Sequence, residues 1–356
     1  MKTTEFLKSK VVVLAILLGG ALLMYSCSDS DDDPVVVVPI IEKSALQTAI
    51  NSANTAASTA VEGTAEGQFV YGSTDVLQNA IDLAQGVLDN SNSTQIAIDN
   101  TVIAINEAIN VFEANAIVPI DPANLVGQWT FDEGAGTTVA DFSGNNFSGT
   151  FGSVAGFGGG TPEWTVDRYG NENKAILFDL GAKITVPYNN ALNPTVMSIS
   201  VWIRADENRD SNRFMGLHSW NGYKFQLQSA NKSFFTAATS DGIYDRDTDP
   251  SLELSTWYHL TVTIGEGNMT FYINGTETKV WDNTPGTMAT VAGHDLVFGV
   301  GSSQYADTAD NYDTDKIIPL AWGGYFHGAM DEVRIYKSVL TASQVTSIYD
   351  TEKAPN

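Results

Sequence analysis

Carboxylates and histidines are the first side chains to weigh for catalysis in this chain of 356 residues. A retaining glycosidase needs two carboxylates about 5.5 Å apart beside the bond it cleaves, which residues i and i+2 or i and i+4 of a strand can supply. The nearest candidates, Asp206-Glu207 and Asp331-Glu332, are adjacent in sequence, so they are expected to point to opposite faces. None of the four histidines lies in a base motif, and His259 is interpreted as a core residue. We therefore predict that the protein is not an enzyme.

Aromatic and planar polar residues outside the alternating runs point to sugar recognition instead. Aromatic faces stack on pyranose rings, while Asn, Asp and Arg side chains bind the hydroxyl groups. Three segments, 209–223, 238–250 and 305–325, are long and rich in such residues, as expected of binding loops on a rigid scaffold. The alternative is that each aromatic ring covers the hydrophobic core at the end of a strand and binds no ligand. The predicted ligand-binding residues are Trp220, Trp322, Tyr244, Arg213, Arg246, Tyr305 and Tyr325.

From Leu125 onward, apolar and polar residues alternate with a period of two, and the elements that this pattern predicts would position these residues. Short alternating runs separated by Gly, Asn and Asp predict antiparallel strands, and Asn274-Gly275 is a strong hairpin signal because both positions favour positive φ. The pattern predicts about a dozen strands, which suits a jelly-roll β-sandwich.

Five segments of this region carry a resemblance in a fixed order: 127–145, 198–203, 257–275, 326–336 and 338–345. The first reads Gly-Gln-Trp-Thr-Phe-Asp-Glu-Gly-Ala-Gly, and the fourth contains Met-Asp-Glu-Val-Arg-Ile-Tyr. Together they resemble the bacterial laminin-G-like, concanavalin A-like lectin domain over residues 125–350. The resemblance implies a jelly-roll fold closed by a short terminal helix.

Similar domains use a structural calcium ion to hold the first loop to the closing strand. The resemblance implies Ca²⁺ ligation by Asp132, Asp141, Asn145 and Asp331. Asp132 and Asp331 lie on segments expected to pair, where two carboxylates repel unless a cation neutralises them. The alternative is that Asp141 and Asn145 form hydrogen bonds within their own turn.

Residues 41–117 have a helical pattern. Three stripes of apolar residues at a repeat of three and four predict three amphipathic helices, which together would form an up-down three-helix bundle. Ser73 or Thr74 is expected to cap the second helix, and Thr94 the third. Residues 44–114, with a Glu-Gly-Thr…Gly-Gln-Phe loop, resemble a FIVAR-type helical repeat, a module that serves as a spacer and sometimes as a binding unit.

The N-terminal segment reads as a targeting signal. Lysines 2, 8 and 10 precede an apolar run, Val11–Met24, that is shorter than a membrane-spanning helix, as in a secretory signal peptide. Leu-Leu-Met-Tyr-Ser-Cys at 22–27, which overlaps the end of this run, resembles a bacterial lipobox and implies lipidation at Cys27; an ordinary signal peptide with an incidental cysteine is the alternative. The acidic run after Cys27 resembles the export signal of Bacteroidetes surface lipoproteins, or is a mere spacer.

The predicted organisation is therefore mainly β with an N-terminal helical part. Its segments are a lipoprotein signal peptide (1–26), an acidic tether (27–40), a helical module (41–117), a linker (118–124) and a β-sandwich (125–350). A net charge of −24 argues against nucleic acid as a partner, and one cysteine excludes an internal disulfide.

These observations predict a lipoprotein of the outer membrane that faces the cell exterior and binds polysaccharide or oligosaccharide for uptake. Neighbouring glycan-uptake proteins are possible partners. Two alternatives stay open: an adhesin that binds a protein of a host or neighbouring cell, and a glycan-active hydrolase or lyase with an unrecognised site.

Overall fold

The computed structural model describes residues 40–63, 65–209, 211–301 and 324–353. The predicted signal peptide, the predicted lipidation site Cys27, the predicted acidic tether up to residue 39, Tyr305 and Trp322 lie outside the described residues. The described residues divide into two compact units, one made of 40–63 and 71–115 and the other of 65–70 and 116–353. Within these ranges, none of the helices has the length and hydrophobicity that crossing a bilayer requires.

The first unit consists of three helices, α1 (Ser44–Thr59), α2 (Ser73–Asp89) and α3 (Gln95–Ala114). Each helix packs against the other two. The stripes predicted from the sequence supply the buried side chains, because an amphipathic helix excludes water from its apolar face by packing it on another. The fully or almost fully buried residues are Leu46, Ile50, Ala53, Leu77, Ile81, Ala84, Ile98, Ile105 and Phe112.

The caps of these helices differ partly from prediction. Thr94 caps α3 as expected, since its side chain accepts a hydrogen bond from the backbone N–H of Ala97. The prediction for α2 is wrong: neither Ser73 nor Thr74 caps it. The Glu62 carboxylate does so instead, accepting the N–H groups of Gly72 at 3.0 Å and Thr74 at 2.7 Å.

The second unit is a sandwich of antiparallel strands followed by one helix. In chain order, its elements are β1 (Leu125–Trp129), β2 (Thr138–Val139), β3 (Gly149–Ser153), β4 (Glu163–Thr165), β5 (Ala175–Phe178), β6 (Ala182–Val186), β7 (Met197–Ala205), β8 (Ser211–Leu217), β9 (Tyr223–Gln228), β10 (Lys232–Thr239), β11 (Gly242–Ser251), β12 (Trp257–Gly265), β13 (Asn268–Ile273), β14 (Thr276–Trp281), β15 (Leu296–Phe298), β16 (Gly328–Tyr336) and α4 (Ala342–Glu352). Strands of two or three residues, such as β2, β4 and β15, are too short to show an alternation, which explains why the sequence suggested fewer strands.

Two eight-stranded sheets form the sandwich. The first has the order β14-β13-β12-β7-β16-β5-β4, with β1 also paired to β16, and the second has the order β11-β10-β9-β8-β15-β6-β3-β2. One core fills the space between them, with Trp129 and Phe131 against Phe298. The mainly β, two-sheet architecture predicted from the period of two is therefore confirmed.

Helix α4 covers the face of the first sheet that points away from this core. Tyr272, Tyr336, Val345 and Ile348 form a small apolar cluster there. The proline-containing segment 118–124, predicted as a linker, is hydrogen-bonded to α4. The N–H of Val118 donates to Ser347 Oγ at 3.0 Å, and Gln344 Nε2 donates to the carbonyl of Pro119 at 2.7 Å.

Candidate functional site

The outer face of the second sheet carries polar residues in rows across strands β8 to β11. Along β9, Tyr223, Phe225 and Leu227 face the core, so Lys224 and Gln226 point to the opposite face. The register places Gly216, Lys224, Thr236 and Asp245 side by side on four neighbouring strands.

Lys224 is the centre of the site, which we call the Lys224 cluster: Trp220, Lys224, Thr236 and Asp245. Its ammonium group donates to Thr236 Oγ1 at 2.6 Å and lies 3.8 Å from Asp245 Oδ1. The Thr236 hydroxyl in turn donates to the Asp245 carboxylate. The ring centroid of Trp220 lies 3.4 Å from Lys224 Nζ, a cation–π contact.

The electrostatics of the cluster follow from burial. Lys224 is 1% exposed, whereas Trp220 is half-buried and Asp245 is exposed. Burial lowers the pKa of Lys224 to about 7, the positive charge of Arg213 adds to that decrease, and Asp245 opposes it. The cluster thus combines three groups: the amine of Lys224, which is a hydrogen-bond donor whose charge depends on pH near 7, the aromatic face of Trp220 and the exposed carboxylate of Asp245.

A second row lies beside the first on the same face. Arg213, Gln226, Phe234 and Asp247 are cross-strand partners on β8 to β11. Arg213 was predicted in a loop, but it is a buried residue of β8. The structure therefore brings two of the predicted ligand residues, Trp220 and Arg213, to the same sheet face around Lys224.

Tyr244 and Arg246 lie elsewhere, and their predicted loop is strand β11. They alternate with Asp245 along that strand, so they face the opposite side. The Arg246 guanidinium carbon lies 5.2 Å from the Tyr244 ring centroid and 4.8 Å from that of Trp281 on β14. The Trp281 indole N–H donates to the carbonyl of Asp247 at 2.8 Å, so this group joins the edges of the two sheets.

The described contacts of Tyr325 are with residues outside the Lys224 cluster. Its ring packs on Phe157, with centroids 5.1 Å apart, and the Arg209 guanidinium carbon lies 4.2 Å from its centroid. Arg209 also forms an ion pair with Glu207 at 2.5 Å. The ring therefore covers a small apolar cluster and pairs with a cation.

The proposed calcium ligands make other contacts. Asp141 Oδ1 accepts the N–H groups of Gln128 and Ser143, and Oδ2 accepts the N–H of Phe147 and the hydroxyl of Ser143, all at 2.8 to 2.9 Å. Asn145 Nδ2 donates to the carbonyl of Val126 at 2.9 Å. The contacts of Asp141 with Ser143 and Phe147 are those of the turn alternative, whereas the contacts with Gln128 and Val126 join the loop to β1.

The other two proposed ligands are paired with cations. Asp331 is buried and forms an ion pair with Arg168, while the exposed Asp132 lies 3.6 Å from Lys174 Nζ. Among the described residues, no three His, Cys, Asp or Glu side chains are arranged to hold a metal. Calcium binding by this set of four stays a prediction.

The expectation that Asp331 and Glu332 point to opposite faces is wrong. Glu332 has a φ of +49°, and the register with β7 shifts between Asp331 and Arg334, as in a β-bulge. Both carboxylates consequently join one ionic network under α4, in which Arg334 contacts Glu332 and Glu352. Burial raises the pKa of Glu332 to about 7, and Arg334 opposes the rise.

His259 is a packed, buried residue, as predicted, but it lies between the first sheet and α4 and not in the core between the two sheets. It is fully buried, and its Nε2 lies 2.7 Å from Ser200 Oγ. Burial lowers its pKa to about 4, so the ring is neutral at pH 7. Its ring contacts those of Trp202 and Tyr349, at centroid distances of 5.3 and 6.0 Å.

Sequence reasoning missed Lys224, although a signal for it exists. In Tyr-Lys-Phe-Gln-Leu-Gln, residues 223–228, the alternation itself assigns Lys224 and Gln226 to the face opposite the aromatic residues. It also missed an open pocket of about 300 Å³ between β3 and β4, where Trp164 lies beside Phe151. No periodic pattern surrounds Trp164, because β4 has only three residues.

Comparison with known proteins agrees with this architecture. Residues 179–346 match the family model of the concanavalin A-like lectin/glucanases superfamily, a segment that is less than half of the chain. No curated protein matches the chain.

Similar solved structures include domain 4 of AbnA, a GH43 extracellular arabinanase from Geobacillus stearothermophilus, in complex with arabinotriose. The two are 24% identical, the match covers 64% of this chain and 98% of that chain, and the TM-score is 0.48. The binding domain of Paraclostridial Mosquitocidal Protein 1 is 18% identical, with coverage of 64% and 52% and a TM-score of 0.45. The heptameric SAP-like pentraxin from Limulus polyphemus is 13% identical, with coverage of 48% and 74% and a TM-score of 0.34. The chain thus spans about half the length of the mosquitocidal protein domain.

Proposed function

We propose that this protein binds a polysaccharide or oligosaccharide without cleaving it, through the Lys224 cluster on the outer face of the second sheet. The observation that carries the proposal is the cross-strand row of Lys224, Thr236 and Asp245 beside the Trp220 ring. The superfamily match over residues 179–346 supports a lectin-like scaffold.

The chemistry of the cluster suits a sugar. A half-buried indole offers an apolar face to the C–H groups of a pyranose ring, and the exposed Asp245 carboxylate accepts sugar hydroxyl groups. The net charge of −24 favours a neutral glycan over a polyanion, because like charges repel at long range.

We place this binding activity on the exterior of a bacterial outer membrane. The proposal follows from the predicted signal peptide, the lipidation of Cys27 and the acidic tether. In this arrangement the helical module, a FIVAR-like up-down three-helix bundle, is a spacer, and the sandwich delivers glycan to neighbouring uptake proteins.

Affinity electrophoresis in gels that contain individual polysaccharides tests the binding proposal. We expect at least one neutral glycan to retard the wild-type chain, and Trp220→Ala and Asp245→Asn to reduce the retardation several-fold. Phe142→Ala is the matched control, because Phe142 is an exposed aromatic residue next to β2, at the opposite edge of the same sheet. Absence of retardation across a broad panel, or equal loss in the control, would contradict the proposal.

The non-catalytic part of the proposal needs its own measurement. The described contacts support it, since Asp331, Glu332 and Glu352 are buried beside Arg168 and Arg334. We expect no new reducing ends and no unsaturated sugars after overnight incubation with any glycan that is bound. Product release that the wild-type chain shows and a heat-denatured sample lacks would favour the hydrolase or lyase alternative.

A further inference from the structure

Two histidines that the proposed glycan site does not use lie against each other at one end of the second sheet. The ring centroids of His218 and His294 are 3.9 Å apart, and the ring planes make an angle of 53°. Both residues are more than nine-tenths buried. They are 76 positions apart in sequence, so only the tertiary fold brings them together.

Rigid strands fix this pair. His218 follows the end of β8 directly, and His294 comes two residues before β15. Strands β8 and β15 are hydrogen-bonded neighbours, with Gly216 opposite Val297. The antiparallel register therefore places the residues after β8 opposite those before β15, and the two imidazoles meet at that point.

The two rings are in the form that binds metals. Burial lowers the pKa of His218, and it lowers that of His294 to about 4, with the nearby His218 contributing to the latter. Both rings are therefore neutral at pH 7, and neutral imidazole is the metal-ligating state.

His218 also has an unused polar atom. Its Nε2 lies 3.4 Å from the side-chain nitrogen of Asn221, but its Nδ1 is buried without a hydrogen-bond partner among the described residues. An unsatisfied buried nitrogen destabilises a fold, so such an atom points to a ligand.

We propose that His218 and His294 together bind one divalent transition-metal ion, with water in the remaining coordination positions. Two imidazoles that share a tetrahedral ion at about 2.0 to 2.1 Å have ring centroids about 5 Å apart, so the two rings would separate by about 1 Å to bind the ion. Imidazole ligands suit copper, nickel and zinc and do not suit calcium, which binds oxygen. The site is distinct from the predicted calcium ligands, and it does not depend on glycan binding.

The ion would connect two parts of the second sheet. His218 opens the turn 218–222 that joins β8 to β9 and carries Trp220, and His294 belongs to the segment before β15. A metal bridge would therefore hold this turn against the neighbouring strand and raise the resistance of the sandwich to heat.

The test uses the full chain without a polyhistidine tag, stripped with EDTA and titrated with Cu²⁺, Ni²⁺ or Zn²⁺ by calorimetry. We expect one equivalent of ion to bind, the midpoint of thermal unfolding to rise, and the electron paramagnetic resonance spectrum of the Cu²⁺ form to show coupling to two nitrogens. His218→Gln and His294→Gln should each weaken binding at least tenfold.

His327→Gln is the matched control, because His327 lies outside the proposed pair and has two carboxylates nearby. Its Nδ1 lies 3.1 Å from Glu207 Oε2 and 3.8 Å from Asp179 Oδ1. Unchanged binding in this variant supports the proposal, and loss of binding in it overturns the proposal. Failure of the wild-type chain to bind any of the three ions, or a copper spectrum without two-nitrogen coupling, also overturns it whether or not the variants fold.

Discussion

The indole ring of Trp220 covers the ammonium group of Lys224, with 3.4 Å between the ring centroid and Nζ. This contact places a cation that is 1% exposed under a half-buried aromatic ring on the face of a sheet that points away from the core. Burying a charged amine is unfavourable unless partners compensate for the loss of water. Thr236 and Asp245 compensate only in part for this loss, and the pKa of Lys224 is therefore lowered.

The burial of Lys224 should make folding stability depend on pH. A pKa of about 7 in place of 10.5 corresponds to a cost on the order of 5 kcal/mol for keeping this amine charged in the folded protein. Between pH 7 and 10.5 the unfolded chain binds a proton that the folded protein has released, so stability from this group rises with pH and is lowest below pH 7.

Lys224→Met removes that dependence. We expect the variant to gain stability relative to the wild type at pH 6 to 7 and to lose this advantage toward pH 10.5, in urea unfolding measured at several pH values. Lys232→Met, a change at a more exposed lysine of β10, is the control and should follow the wild-type slope. Parallel curves for Lys224→Met and the wild type would contradict the assignment.

The buried ion pair of Arg168 and Asp331 should be strongly coupled. Burial raises the pKa of Asp331, and the contact with Arg168 opposes that rise. Removing one partner leaves the other charge buried, so Arg168→Leu and Asp331→Leu should each lower the free energy of unfolding by about 3 to 5 kcal/mol. The double variant should lose less than the sum, as measured by a double-mutant cycle in urea. Additive losses would mean that the two charges do not stabilise each other.

Asp141 should stabilise the loop after β2 through its four hydrogen bonds. We expect Asp141→Ala to lower the free energy of unfolding by about 1 to 3 kcal/mol, because several partly buried donors lose a charged acceptor. Asp132→Asn, at an exposed carboxylate, should have little effect.

The same variants decide whether calcium binds at this place. If the four predicted ligands bind calcium, millimolar calcium should raise the midpoint of thermal unfolding relative to EDTA, and this rise should disappear in both Asp141→Ala and Asp132→Asn. Equal midpoints in calcium and EDTA would contradict the calcium prediction and favour the hydrogen-bonded alternative.

Glu62 should determine how well helix α2 begins. Its carboxylate accepts the N–H groups of Gly72 and Thr74, so Glu62→Ala should destabilise the helical unit by about 0.5 to 2 kcal/mol, the range of a lost helix cap. Thermal unfolding followed by far-ultraviolet circular dichroism measures the change. Glu66→Ala, at an exposed carboxylate of the same loop, is the control; an equal effect of both substitutions would exclude a capping role for Glu62.

The sequence by itself determined the two classes of secondary structure. Apolar stripes in residues 41–117 predicted the helices, and alternation from Leu125 onward predicted antiparallel strands in a sandwich. This succeeded because the period of a side-chain pattern depends only on local backbone geometry. The same alternation places His259 on the face of β12 opposite Leu260 and Val262, and its burial there depends on the cover of α4.

Only the tertiary structure decided which side chains meet. Trp220 and Arg213 lie around Lys224, whereas Tyr244 and Arg246 face the other side of β11, because a shift of one residue along a strand reverses the face. His218 and His294 meet because β8 pairs with β15, a neighbour distant in sequence. Sheet order and register arise from packing over the whole sandwich, and no local pattern encodes them.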